Sequence, residues 1–170
     1  MYDVAIVGGG LVGASFALDL IQQNENLSIA FIERTEPNFS ENQSGFDNKI
    51  YAISPSNLEH LSKLGVNPDW SKIGTINAMN VRGNQNSAIE FDKATCKGQY
   101  LAKIVEYRNL HHAVLVELKK YPQVKFIYTN LQDAKMYETS VELLNDADEV
   151  IQAKWLVAAD GANSFVRNKF

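Results

Sequence analysis

An α/β fold built around a parallel sheet is what this sequence predicts, and three observations predict it. An apolar run, Tyr2 to Val7, leads straight into Gly8-Gly9-Gly10-Leu11-Val12-Gly13. A stripe at helical spacing follows, with Leu11, Phe16, Ala17, Leu18, Leu20 and Ile21 on one face before the polar run Gln22 to Asn26. A second apolar run, Leu27, Ile29, Phe31 and Ile32, then ends on Glu33-Arg34. Strand, glycine turn, helix and strand within roughly 35 residues are the opening unit of a Rossmann-like sheet.

Each part of that unit has a separate physical task. Gly8 lets the chain turn sharply after the strand, Gly10 keeps a side chain out of the way of a pyrophosphate, and Gly13 lets the helix pack closely. Phosphates then meet a helix N-terminus, where unpaired amides and the helix dipole favour negative charge. Glu33 falls 20 residues after Gly13, where a ribose-binding carboxylate is expected. A bare GxGxxG pattern is weak, but in register with strand, helix and acid it points to an adenine dinucleotide.

The remaining elements follow in order. Thr35 to Asn48 is polar and reads as a long surface loop, and Asp47 to Ser54 leads from it into a helix capped by Ser56, with Leu58, Leu61 and Leu64 buried and Gly65 at its end. Ile73 to Arg82 and Ala88 to Asp92 read as strands, with the turn formers Gly83, Asn84 and Asn86 between them. A helix is expected from about Arg108, carrying Leu110, Ala113, Val114 and Leu118 inward until Lys119-Lys120-Tyr121-Pro122 stops it. Strands over Val124 to Tyr128, Ala134 to Leu144 with a kink, and Val150 to Ala158 complete the set.

Composition narrows the function classes. The 170 residues carry a formal net charge of -4, which gives no electrostatic footprint for nucleic acid. Cys96 is the only cysteine, so no internal disulfide forms and a reducing, cytoplasmic setting is expected. No run approaches the ~18 apolar residues of a membrane span, and with a strand starting at Tyr2 no signal peptide is expected. His111 and His112 are adjacent, so a helix points them about 100° apart, and with no partner at ligand spacing no metal site is expected. Surface or cofactor-adjacent roles suit them better. Tyr121 and Lys125 have the spacing of a dehydrogenase Tyr-x-x-x-Lys pair, but Pro122 between them breaks the shared helix face. Trp70 and Trp155 read as packing residues. No catalytic nucleophile is evident.

A second chemical feature lies at the far end. The apolar strand Ala153 to Ala158 delivers Ala159-Asp160-Gly161-Ala162-Asn163-Ser164, placing an acid and a glycine where a strand stops. Ligands of open α/β sheets bind just outside the carboxyl ends of the strands. Together with Gly8 to Gly13, Glu33-Arg34, the Asp47 to Ser54 segment and Ile104-Val105-Glu106-Tyr107-Arg108-Asn109-Leu110, this motif resembles the flavoprotein aromatic hydroxylases, and within them the ubiquinone-biosynthesis hydroxylases. The likeness covers essentially the whole chain.

The resemblance implies an oxidoreductase: an FAD-dependent monooxygenase that uses NAD(P)H as a transient reductant and O₂ to hydroxylate an aromatic ring, here a polyprenylated phenol. It implies a Rossmann-like FAD-binding domain of the glutathione-reductase-like type over residues 1–72 and 100–170, with 73–99 starting a substrate-binding sheet. It implies that Gly8, Gly10, Leu11, Val12 and Gly13 hold the pyrophosphate, Glu33 the ribose, and that Arg34 lies on the adenine side. Lys49 stands where the family usually has arginine, near flavin and phosphates. Arg108 matches a position at the flavin edge, and Asp160 one associated with both FAD and NAD(P)H.

Members of the family continue to a later Gly-Asp motif that this sequence lacks. The expectation is therefore a truncated N-terminal part, inactive alone and prone to self-association through uncovered apolar edges. No transmembrane segment is expected, and peripheral association with a membrane or a biosynthetic complex stays compatible. A non-catalytic FAD or nucleotide-binding module is the alternative reading, and an NAD-dependent dehydrogenase a weaker third.

Overall fold

A computed structural model describes residues 1–39, 47–83, 87–94 and 99–170. The expected turn residues Asn84 and Asn86 and the lone Cys96 lie outside these. The chain forms two compact units, Met1–Ser40 with Val114–Phe170, and Glu41–Ala113.

The first unit holds the parallel sheet. Strand β1 (Tyr2–Val7), helix α1 (Leu11–Gln23) and strand β2 (Ile29–Glu33) form the expected βαβ opening. Two later strands appear as expected, β8 (Val124–Tyr128) and β11 (Val150–Ala158), and β9 (Leu131–Met136) and β10 (Val141–Asn145) lie between them. The sheet order is β8-β2-β1-β11-β10-β9, in which β8, β2, β1 and β11 are parallel and the last two strands antiparallel.

Both faces of the two central strands β1 and β2 are buried, which is why they read as nearly unbroken apolar runs. Ala5, Val7, Ala30 and Ile32 join one core cluster with Ala134, Val141, Leu143, Ile151 and Ala153, so one face of the sheet carries a continuous core from β2 to β9. The alternate residues Val4, Ile6, Ile29 and Phe31 are also buried and point the other way. Helix α1 buries Gly13, Ala14, Ala17, Leu18 and Ile21, whereas Phe16, expected in its buried stripe, is exposed.

The single kinked strand expected from Ala134 to Leu144 is instead a hairpin. Tyr137 N–H bonds to the Ser140 carbonyl at 2.8 Å and closes a turn through Glu138 and Thr139. Polar residues at the turn outweigh the β-propensity of their neighbours. After β11 a short helix α4 (Phe165–Lys169), not expected from the sequence, is capped by Ser164, whose Oγ accepts from Arg167 N at 2.9 Å.

The second unit contains a three-stranded sheet, β3-β7-β4, and a separate hairpin, β5-β6. Strands β3 (Ile50–Ile53) and β7 (Ala102–Glu106) pair antiparallel, and β4 (Gly74–Ile76) pairs with the other edge of β7. The strand expected over Ile73 to Arg82 therefore splits: β4 stays with β7, and β5 (Ala78–Arg82) pairs with β6 (Ala88–Asp92). Helix α2 (Pro55–Lys63) starts two residues before the expected position. Ser54, not Ser56, is its cap, accepting from Asn57 N at 3.3 Å, because Pro55 at the first helical position needs no amide partner. Leu58 and Leu64 are buried and Leu61 partly so.

Helix α3 (Tyr107–Leu118) runs from this unit into the first. Within it His111 is buried and His112 exposed. Trp70 and Trp155, expected to pack inside, are both exposed, Trp155 at 72%. Trp70 belongs to a single 3₁₀ turn and donates its indole N–H to Asn67 Oδ1 at 2.7 Å, so an edge polar contact has replaced burial.

Candidate functional site: a cleft at the carboxyl ends of the parallel strands

The first unit carries a cleft of about 530 Å³ just outside the carboxyl ends of β1, β2, β8 and β11. That volume falls within the usual range of small-molecule sites, and the place is where open α/β sheets bind ligands. Its lining comes from the ends of those four strands: Val7, Gly8 and Gly10 after β1, Ile32, Glu33 and Arg34 after β2, Thr129 to Leu131 after β8, and Ala159 to Asn163 after β11.

The glycine turn is built as its sequence demands. Gly8 has φ +107°, and a Cβ there would stand 2.3 Å from the Ala159 carbonyl oxygen. A Cβ on Gly13 would stand 2.0 Å from the Gly8 carbonyl oxygen. The tight approach that requires glycine at position 13 is thus to the turn itself, with the Ala159 side chain 3.2 Å away, rather than to the sheet in general. Backbone bonds lock three strand ends together, Gly8 N to Ile32 O at 2.9 Å between β1 and β2 and Ala159 N to Val7 O at 2.7 Å between β11 and β1.

Helix α1 opens on Gly10 as its N-cap, with no side-chain cap and no acid in its first turn. Leu11, Val12 and Gly13 therefore present an open helix N-terminus, and Val12 is 75% exposed. Nothing in the first turn competes with an anion for those amides. Beside it, Glu33 is half-buried and held in place: Oε2 accepts from Gly9 N at 2.6 Å and Oε1 from Arg34 N at 2.7 Å. Each oxygen keeps a lone pair for a ribose hydroxyl.

Asp160 borders the opposite side. Its Oδ1 accepts from Ser164 Oγ at 2.6 Å and its Oδ2 from Val166 N at 3.1 Å. Burial by itself would raise this carboxyl, but the Ser164 hydroxyl and the amides of Val166, Asp160 and Phe165 outweigh it and hold it below the usual carboxylate range. The Asp-Gly motif thus shapes the loop into α4, with Gly161 at φ +80° and Arg167 Nη2 on the Ala162 carbonyl at 2.6 Å.

The structure brings Gly8, Gly10, Glu33, Arg34 and Asp160 to one cleft. Lys49 and Arg108 belong to the second unit, where they share Asp47. Asp47 Oδ1 accepts from Lys49 N at 3.0 Å, and its Oδ2 accepts from Arg108 N at 2.9 Å with Arg108 Nε at 3.6 Å. The Lys49 amide first, then the Arg108 amide and cation, hold the Asp47 carboxyl below its ordinary value against the effect of burial. The Lys49 ammonium lies 4.1 Å from the Tyr107 ring centroid, a cation–π contact, and the Tyr107 ring is 5.0 Å from that of His111.

Sequence reasoning missed Thr129, Asn130 and Leu131. They end a strand with no motif, and only the placement of β8 beside β2 makes them a wall of the cleft. Among the described residues no group of acids, histidines or cysteine could hold a metal ion. No helix among them is long and apolar enough to cross a membrane.

The donor set suits an adenine dinucleotide: an open helix N-terminus for phosphates, a glycine turn that a Cβ would fill, and a fixed carboxylate one strand away for a ribose. Comparison with known proteins agrees. The FAD binding domain family matches residues 1–170. The chain is 33% identical over 171 residues to the 3-demethoxyubiquinol 3-hydroxylase of Escherichia coli, covering 97% of this chain and 42% of that protein. It is 28% identical to the ubiquinone biosynthesis monooxygenase COQ6 of Caenorhabditis elegans, covering 98% of this chain and 39% of that one. The chain therefore spans about two fifths of the length of the curated relatives it matches. In fold it is similar to p-nitrophenol 4-monooxygenase PnpA from Pseudomonas putida, with a TM-score of 0.74 at 20% identity over 99% of this chain and 43% of that one. Glycine turn, carboxylate, cleft and relatives agree: this chain belongs to the FAD binding domain family of flavin-dependent monooxygenases, with hydroxylases of ubiquinone biosynthesis among its relatives.

Proposed function

We propose that this chain is the FAD-binding part of an NAD(P)H- and O₂-dependent monooxygenase that hydroxylates an aromatic ring, a polyprenylated phenol on the route to ubiquinone. The observation that carries the cofactor half is the cleft, with Gly8, Gly10, Glu33 and Asp160 around one cavity. The relatives' names support the substrate half.

In this reading the open N-terminus of α1 takes the pyrophosphate, Glu33 the adenosine ribose, and Arg34 the adenine side. Asp160 orders the loop that closes the β11 side. The family resemblance assigns Lys49 and Arg108 to the flavin end, and Asp47 fixes both of their backbones. Lys49 presents a point charge where a planar guanidinium is usual, so a single contact replaces a two-pronged one. When bound, FAD reduced by NAD(P)H supplies the activation of O₂ that places oxygen on the ring.

The exposed apolar face of the β5-β6 hairpin, Met79 and Val81 opposite Phe91 and Ile89, supports self-association of this chain. A scattering mass that rises with concentration agrees with it, and a constant monomer mass contradicts it.

The substrate half is tested by fusing residues 1–170 to the remaining length of a ubiquinone hydroxylase. NADPH oxidation stimulated by a polyprenylated phenol, with a product heavier by one oxygen, is expected. Flavin bound without any stimulated oxidation would remove the substrate assignment and leave the cofactor site.

A further inference from the structure

We propose that Asp146, which stands outside the cleft, is a positioning residue for the base end of the bound dinucleotide, acting through Thr129 and Asn130 on the β8 wall. This rests on the reading of the cleft as the FAD site. Along the strand order the cleft runs from Gly8 and the α1 N-terminus after β1, to Glu33 after β2, to Thr129–Leu131 after β8. Adjacent strands lie ~4.8 Å apart. Phosphate at the helix and ribose at Glu33 therefore leave the base one strand further on, against residues 129–131.

That wall needs fixing, because Asn130 is exposed and Thr129 only half-buried. One residue supplies most of what holds it. Asp146 Oδ1 accepts from Thr129 Oγ1 at 2.9 Å, its Oδ2 accepts from Asn130 Nδ2 at 2.9 Å, and its own N–H donates to the Asn130 carbonyl at 2.9 Å. Thr129 N in turn donates to the Glu33 main-chain carbonyl at 2.8 Å, which ties the base wall to the strand end that carries the ribose carboxylate.

Asp146 is itself held by a built turn. The β9-β10 register shifts between Leu144 and Asn145, a bulge that re-aims the residues after it. Asn145 is buried, its Oδ1 accepts from Ala147 N and Glu149 N at 3.0 and 2.8 Å, and its Nδ2 donates to Glu149 Oε2 at 3.0 Å. Asp148 adopts φ +59° to complete the turn. A two-residue turn would join β10 to β11 with fewer constraints. The bulge, the satisfied asparagine and the left-handed residue together point one carboxylate at the cleft wall.

The test measures FAD and ADP affinity for the unaltered chain and for Asp146→Ala, Asp146→Asn and Glu33→Ala, with amide exchange at residues 129–131 and in β1 and β2. Asp146→Ala is expected to weaken FAD and ADP by the same factor, roughly fivefold to tenfold, the scale of losing charged hydrogen bonds at a partly exposed site. Exchange should rise at 129–131 and stay unchanged in β1 and β2. Asp146→Asn should recover most of the affinity, because an asparagine still accepts from Thr129 and can pair with a flipped Asn130 amide. If Glu33→Ala weakens binding and Asp146→Ala does not, or if exchange rises throughout the sheet, the positioning role is wrong and the FAD site stands. If the unaltered chain binds neither ligand, the FAD reading falls and the proposal with it. Should Asp146→Ala fail to fold, Thr129→Val with Asn130→Ala removes the same contacts from the cleft side and faces the same criteria.

Discussion

At Gly13 the nearest atom to an added Cβ is the Gly8 carbonyl oxygen, at 2.0 Å, and that atom belongs to backbone that cannot swing aside. Gly13→Ala is therefore expected to destabilise the chain by about 2–3 kcal/mol and to open the turn, which a urea unfolding curve with and without FAD measures. Asp160 gives a pH prediction. Its folded pKa lies below its ordinary value, so its contribution is fully present above that ordinary value and is lost as pH falls through the folded one. Compared with the unaltered chain, Asp160→Asn should lose stability at neutral pH, about 1–2 kcal/mol, and the gap should narrow below ~pH 4. Parallel thermal melts from pH 7 to the acid side check the sign; a gap that widens in acid contradicts it. The glycines, Glu33 and Asp160 were legible in the sequence because each meets a backbone or charge requirement that few residue types satisfy. Thr129 and Asn130 were not, since their place at the cleft depends on which strand lies beside β2. Asp146 depends further on a one-residue bulge that no periodicity reveals.

Helix α1 separates stability from binding. Its N-terminus has neither a side-chain cap nor an acid in the first turn, which leaves a helix end unsupported in the absence of an anion. Val12→Glu, at an exposed position of that turn, should raise the melting temperature of the ligand-free chain slightly, by the ~0.3–1 kcal/mol of a favourable dipole contact. The same carboxylate should weaken FAD about tenfold by repelling the pyrophosphate. Opposite signs from one substitution mark an anion site; equal losses in both would mark simple damage. Elements with long, one-sided or fully apolar patterns, such as β1, β2, α3 and β11, were read correctly from sequence. The two strand runs that failed share one cause, that tertiary pairing divided a β-rich run. Ile73 to Arg82 broke at Asn77 between two sheets, and Ala134 to Leu144 folded into a hairpin. The strand β7 went unread because its apolar residues sit inside a segment noticed for its motif, and α4 because five residues carry no period.

For the whole chain, the cleft in the first unit suits an adenine dinucleotide, and the match to the FAD binding domain family over residues 1–170 identifies which one. The fold class was visible in the first 34 residues, because a βαβ opening with its glycines allows few architectures. The substrate came only from the family resemblance, and the relatives whose names point to it are more than twice as long as this chain. The most direct test of the account is equilibrium binding of FAD to the purified chain, followed by flavin fluorescence, with ADP, FMN and NAD⁺ as competitors. Saturable 1:1 binding that ADP displaces and FMN does not is the predicted result, because the cleft engages the adenosine diphosphate half. Absence of FAD binding, or displacement by FMN but not by ADP, would contradict it.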